Sequence, residues 1–160
     1  MAAPIGEALL RYDSKRHVVG PAPDEILVHH ALDSGEIRGP RLKLRAVPHV
    51  GGEWSTIRGD GIVCVESRYL FRTDVDGLVY ATFIGIYDTG DDGYADALDG
   101  SLNSHALASV AIRFYTAAAQ YRWLTRPQYV GVGERDFASH TFAAQVFEGG
   151  SDVTLPQRAM

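Results

Sequence analysis

Residues 62–87 spell out two strands and the turn between them. In the first segment Val63, Val65, Ser67, Tyr69 and Phe71 fall on one face. Ile62, Cys64, Glu66, Arg68, Leu70 and Arg72 fall on the other. A period of two is the signature of a pleated strand. Asp76-Gly77 supplies a tight hairpin turn, and residues 78–87 form the returning strand. A hairpin with one strongly apolar face must bury that face against more sheet, and this narrows the remaining choices for the chain.

The rest of the sequence continues the theme. Short β-branched and aromatic runs cover residues 26–32, 41–47, 109–116, 128–133 and 141–147, separated by Gly, Pro and Asp. In the second of these, Leu42, Leu44 and Ala46 alternate with Arg41, Lys43 and Arg45. Residues 88–108 break the pattern with five aspartates among glycines, and read as a long acidic loop with a short helical turn. A second helical or turn segment is expected over 117–124, and an irregular tail from Gly149. Seven or eight short strands with almost no amphipathic helix point to a β-sandwich or a closed barrel. An eight-stranded barrel is just wide enough to hold one small ligand.

Composition limits the function. The 160 residues suit one domain, 1–160. A net charge of -5 argues against a general nucleic-acid binder. A single cysteine, Cys64, excludes an internal disulfide framework and fits a reducing compartment. No run approaches the roughly 18 apolar residues of a membrane helix, and the start lacks a basic leader pattern, so the cytoplasm is the expected location.

An ordered series of small motifs carries a resemblance. It runs through Gly39-Pro40-Arg41-Leu42-Lys43, Gly51-Gly52-Glu53-Trp54, Arg58-x-Asp60-Gly61 and Glu66-x-Arg68-Tyr69. It continues with Arg72-Thr73-Asp74-x-Asp76-Gly77, Tyr80, Gly85, Phe114-Tyr115, Tyr121-x-Trp123-Leu124 and Gly131-Val132-Gly133. Over residues 33–148 this resembles domain-of-unknown-function family 3237, small and mostly bacterial proteins. The resemblance implies a single antiparallel, up-and-down β-barrel of about eight strands, lipocalin-like, with a central cavity. This chain departs from the family pattern at Leu44, at the shortened Gly51-Gly52-Glu53-Trp54 turn, at Thr125 and in a longer acidic loop.

Two candidate catalytic residues stand out, Glu66 and Arg68. Two positions apart, they share one strand face. That face is either solvated, with the Val/Tyr/Phe face as core, or it lines a polar cavity. The resemblance at both positions lends weight to the cavity, and both faces stay open. In a cavity Arg68 would hold a planar oxyanion and Glu66 would move a proton. Candidate substrate-binding residues are Glu53 and Trp54 at a Gly-rich turn, His30, and the aromatic tips of Tyr80, Tyr115 and Trp123. His29 and His30 are adjacent in a strand and so point to opposite faces. No H-x-H or H-E-x-x-H spacing occurs, the acidic loop lacks the closing Glu of a calcium loop, and no metal site is expected. No nucleophile elbow, P-loop or dinucleotide fingerprint is present, so no cofactor is expected.

The expected function is cofactor-independent acid–base chemistry of isomerase, lyase or cyclase type. The substrate would be a small, partly apolar, oxygenated metabolite, with no nucleic acid or membrane as partner. The alternatives are a non-catalytic carrier of a hydrophobic ligand, and a structural homodimer joined through an exposed Val63/Val65/Tyr69/Phe71 face.

Overall fold

The computed structural model describes residues 2–102 and 105–150. The tail expected to be irregular lies, from 151 onward, outside the described residues. The chain opens with β1 (Gly6–Tyr12), β2 (His17–Ala22), β3 (Glu25–Gly39) and β4 (Leu42–Arg58). The central hairpin is β5 (Ile62–Thr73) and β6 (Leu78–Asp88). β7 (His105–Thr116), β8 (Tyr129–Asp136) and β9 (Thr141–Glu148) complete the sheet. Neighbours run β1-β9-β8-β7-β6-β5-β4-β3-β2, all antiparallel, and β1 also pairs with β3. That last pairing closes eight strands into a barrel. β2 lies outside the closed ring and continues the hairpin with β3 past the point where β1 leaves it, with His17 opposite His29.

Alternation explains the wall. Along β5 the inward set is Val63, Val65, Ser67, Tyr69, Phe71 and Thr73, all buried, against an outward set led by Cys64, Glu66, Arg68 and Arg72. The apolar face that a dimer would have used is therefore the barrel core. Two strands escape the sequence pattern: β1, where Ala8, Leu10 and Tyr12 alternate inward, and the wholly exposed β2. β7 starts at His105, four residues before the run read from sequence. The acidic connection before it carries a short helix, α1 (Gly93–Asp99), and a 3-10 helix spans Ala119–Thr125.

The interior has two halves. Toward the β3–β4, β5–β6 and β7–β8 connections it is apolar, with Leu42, Leu44, Phe71, Phe114 and Tyr129 buried and Phe114 edge-on to Tyr129 at 5.3 Å. The 3-10 helix plugs this end with Tyr121 and Leu124. The Tyr121 hydroxyl donates to Asp74 at 3.0 Å and accepts from the Lys43 amide at 3.2 Å, so it ties two hairpin turns together. The other half holds the buried His30, Glu53 and Arg135. There the wall itself is irregular. β3 and β4 lose register between Ala31 and Glu36, and β4 loses register with β5 between Ala46 and Gly51. Pro48, His49 and Val50 stand out from both neighbours, with His49 in the left-handed region at φ 59°. Gly51, at φ 92°, brings the strand back. A Cβ there would collide with the Arg68 carbonyl.

Candidate active site

Four strands converge on one carboxylate. Glu53 faces inward from β4 and is fully buried. Arg135, on β8 and equally buried, meets it side-on: Nε lies 3.3 Å from both carboxylate oxygens, and Nη2 donates to Oε1 at 3.2 Å. Its Nη1 donates to the carbonyl of Asp136 at 2.9 Å. The guanidinium lies between the rings of Tyr12 (4.3 Å) and Phe137 (4.7 Å), where its charge faces two π clouds. From β6 the Tyr87 hydroxyl donates to Glu53 Oε2 at 2.6 Å. From β3 His30 brings Nδ1 to 3.5 Å from Glu53 Oε1 without an aligned hydrogen bond. The Tyr12 and Tyr69 hydroxyls meet at 2.7 Å.

Burial and charge set the protonation states. Burial drives the Glu53 carboxyl up, but the Arg135 charge, with His30 and the Tyr87 hydrogen bond, outweighs it and holds the group below its ordinary value. Glu53 is ionised at neutral pH. Burial pulls His30 down to about 4, against the upward pull of Glu53. Its imidazole is therefore neutral at pH 7, and its contact with Glu53 is not an ion pair there. Burial first, then neighbouring Glu53 or phenols, raises Tyr12, Tyr69 and Tyr87, so all three stay protonated donors. The result is a neutral imidazole backed by a fixed carboxylate. Its Nδ1 lies 3.5 Å from that carboxylate with no aligned hydrogen bond, and either ring nitrogen can carry the proton. An imidazolium formed there would gain the Glu53 charge at 3.5 Å.

Tyr12, itself buried, is the cluster residue that borders the surface. It forms part of the lining of an open cleft of about 510 Å³ with Asp13, Asp33, His49, Ser139 and His140. His140 shares the left-handed backbone of His49, at φ 58°. The cleft lies where β1 leaves the wall and β4 bulges, and its volume is within the range of small-molecule sites.

Of the residues read from sequence, the structure brings Glu53 and His30 together inside the barrel. Glu66 and Arg68 are a correction. They pair at 3.2 Å on the outer face, with side chains 63% and 64% exposed, because the Val63 face took the interior. Trp54 follows Glu53 in the strand and so points outward, its ring tilted against His29 with centroids 4.4 Å apart. Tyr80 and Tyr115 are cross-strand neighbours on the outer wall, the latter 72% exposed. Trp123 sits half-buried on the 3-10 helix under the Arg41 guanidinium at 4.4 Å. None of these six reaches the cluster. Sequence reasoning missed Arg135, Tyr87, Tyr12 and Tyr69. Arg135 was legible: Tyr129, Gly131, Gly133 and Arg135 are one inward period-two set, but the apolar run that marks the strand stops at Gly133. Among the described residues, no group of three or more His, Cys, Asp or Glu side chains could hold a metal ion.

A closed eight-stranded antiparallel barrel with an ionic cluster inside one half defines the class of protein. The chain belongs to the family described as protein of unknown function DUF3237, whose pattern matches residues 4–148. Solved structures share the fold. A conserved protein of unknown function from Rhodopseudomonas palustris superposes with TM-score 0.77 at 18% identity, over 91% of this chain and 95% of that one. A beta-barrel-like protein from Acinetobacter baumannii gives TM-score 0.75 at 18% identity, over 91% and 93%. A protein from Penicillium herquei described as an enzyme gives TM-score 0.64 at 18% identity, over 92% and 98%. No curated protein sequence matches. No helix among the described residues is long and apolar enough to cross a membrane.

Proposed function

We propose that this protein is a cofactor-independent enzyme that moves protons on a small, partly apolar, oxygenated molecule, by isomerase, lyase or cyclase chemistry. One observation carries the reading: a neutral, almost fully buried His30 stands against a carboxylate that Arg135 keeps ionised. His30 takes the proton, and Glu53 offsets part of the cost of burying the imidazolium. Tyr87 already gives its proton to Glu53, so the donor for a developing enolate or phenolate oxygen comes from the Tyr12–Tyr69 hydroxyl pair, in which one of the two protons is free. A substrate would enter by the cleft beside Tyr12. The fold shared with a fungal protein described as an enzyme adds support for catalysis and none for a particular reaction. A cytoplasmic setting, which the exposed free Cys64 suits, belongs to the same proposal.

Hydrogen–deuterium exchange tests it directly. A panel of cyclic 1,3-diketones and α,β-unsaturated ketones in deuterated buffer, followed by NMR, reports proton abstraction without knowledge of the natural substrate. The wild type should accelerate exchange for at least one of them. His30→Asn should lose roughly 10²-fold or more of that rate, in line with removal of a general base, while keeping its circular dichroism spectrum. Exchange that is equal in wild type and His30→Asn, or absent for the whole panel, would favour a barrel that only carries a ligand or only packs its own side chains.

A further inference from the structure

A second feature lies on the outer wall, at the end of the barrel away from the ionic cluster. Side chains of β3, β4 and β5 enclose a groove of about 300 Å³ lined by Glu36, Arg38, Lys43, Arg45, Arg72 and Asp74. Its floor is bare backbone, because Ile37, Leu44 and Thr73 between these residues point into the core. The pairing is unusual. Arg38 stands directly opposite Lys43, and Arg45 directly opposite Arg72. Like charges facing each other across an antiparallel ladder oppose folding, and this chain sets two such pairs side by side although it carries an excess of acid, net -5.

The available acids do not neutralise the groove. Glu36 stands directly opposite Arg45 across the ladder but is bonded to Arg38 at 2.8 Å, Arg72 reaches out to Asp76 at 3.3 Å, and Asp74 accepts the Tyr121 hydroxyl at 3.0 Å. The Lys43 and Arg45 side chains have no hydrogen-bond or ion-pair partner among the described residues. Two cations without a partner, two more at the rim and only two acids make the groove net positive. Arginine forks and a lysine point charge match the tetrahedral oxygens of phosphate.

We propose that this groove binds a small phosphorylated molecule through its phosphate group, at a site separate from the buried cluster and independent of the chemistry proposed for it. Pyrophosphate is the probe. At constant ionic strength set with chloride, it should raise the Tm of the wild-type protein in a dose-dependent way, and titration calorimetry should show a saturable site. Arg45→Gln should weaken pyrophosphate binding at least tenfold. The same substitution should leave the Tm without ligand unchanged or higher, because it removes one of the facing like charges. Lys43→Gln should behave alike, whereas Arg11→Gln, whose charge lies outside the groove, should bind as wild type. A pyrophosphate effect no larger than that of chloride, or one that survives Arg45→Gln, would overturn the proposal. Tighter binding of a single-stranded oligonucleotide than of pyrophosphate, lost in Arg45→Gln, would replace it with docking of an extended polyanion.

Discussion

Glu53 and Arg135 show what a pair of charges does when water cannot reach either. Each is fully buried, and each is tolerable because the other is present, with the Tyr87 hydroxyl on Glu53 and the Asp136 carbonyl on Arg135 adding hydrogen bonds. Glu53→Gln removes the charge but not the shape, and strands the Arg135 cation. We expect it to lower unfolding free energy by about 3–5 kcal/mol, measured by urea denaturation. His30 gives a pH signature. Its folded value of about 4 lies below the roughly 6.5 of an unfolded histidine, so between these values the unfolded chain binds the extra proton. Stability therefore falls as pH drops from about 6.5 to 4, by at most about 3 kcal/mol from this residue. His30→Phe should flatten that part of the pH–stability curve. Glu53, lowered in the fold, contributes stability above the ordinary carboxylate range and loses it as pH falls through its folded value, so acid unfolding should remain in His30→Phe. At this scale the sequence is half legible. Glu53 and His30 can be picked out because a carboxylate and an imidazole in strands are chemically conspicuous. Arg68 is picked over Arg135 because the resemblance at Glu66 and Arg68 outweighs the local signal, the more apolar Val63, Val65, Tyr69 and Phe71 face, which is the one that turns inward.

β4 is the element on which the site depends. It pairs along both edges at its two ends, and between Ala46 and Gly51 it slips against β5. The slip adds residues on one strand and re-aims the side chains beyond it, the usual effect of a bulge. Glu53 comes two residues after its close. Gly51 makes that return feasible, since its φ of 92° and the adjacent Arg68 carbonyl leave no room for a side chain. Gly51→Ala should destabilise by about 2–3 kcal/mol, and amide hydrogen exchange should rise first along the β4–β5 seam. The β5–β6 hairpin, by contrast, is fully readable. Its alternation is long, and Asp76 does adopt the left-handed conformation its turn demands, at φ 63°. β1 is not readable in the same way. Seven residues that include Ala, Glu and two Leu carry no strong strand preference, and its inward Ala8, Leu10 and Tyr12 become strand residues only because β3 and β9 lie on either side.

At the scale of the molecule, barrel closure organises everything else. Residues of β1 pair with residues of β9 more than a hundred positions away, and the ring cannot shut until that contact forms. Folds dominated by such distant pairings fold slowly. A destabilised variant such as Gly51→Ala should therefore show mainly faster unfolding if its seam forms after the transition state, and slower refolding if it forms before, which stopped-flow kinetics resolves. The barrel class is legible from strand count and spacing, because nearly every run is short, alternating and bounded by turn residues. Closure also has a meaning for the newly made chain. Glu53 is synthesised 82 residues before Arg135. Until β8 emerges from the ribosome, the carboxylate has no counterion and the wall has no far side to shelter it. A chain truncated before Arg135 thus has no stable half-barrel to settle into. It stays open to proteases, and the interior ion pair serves as the molecule's own proof that the far wall of the barrel has been made.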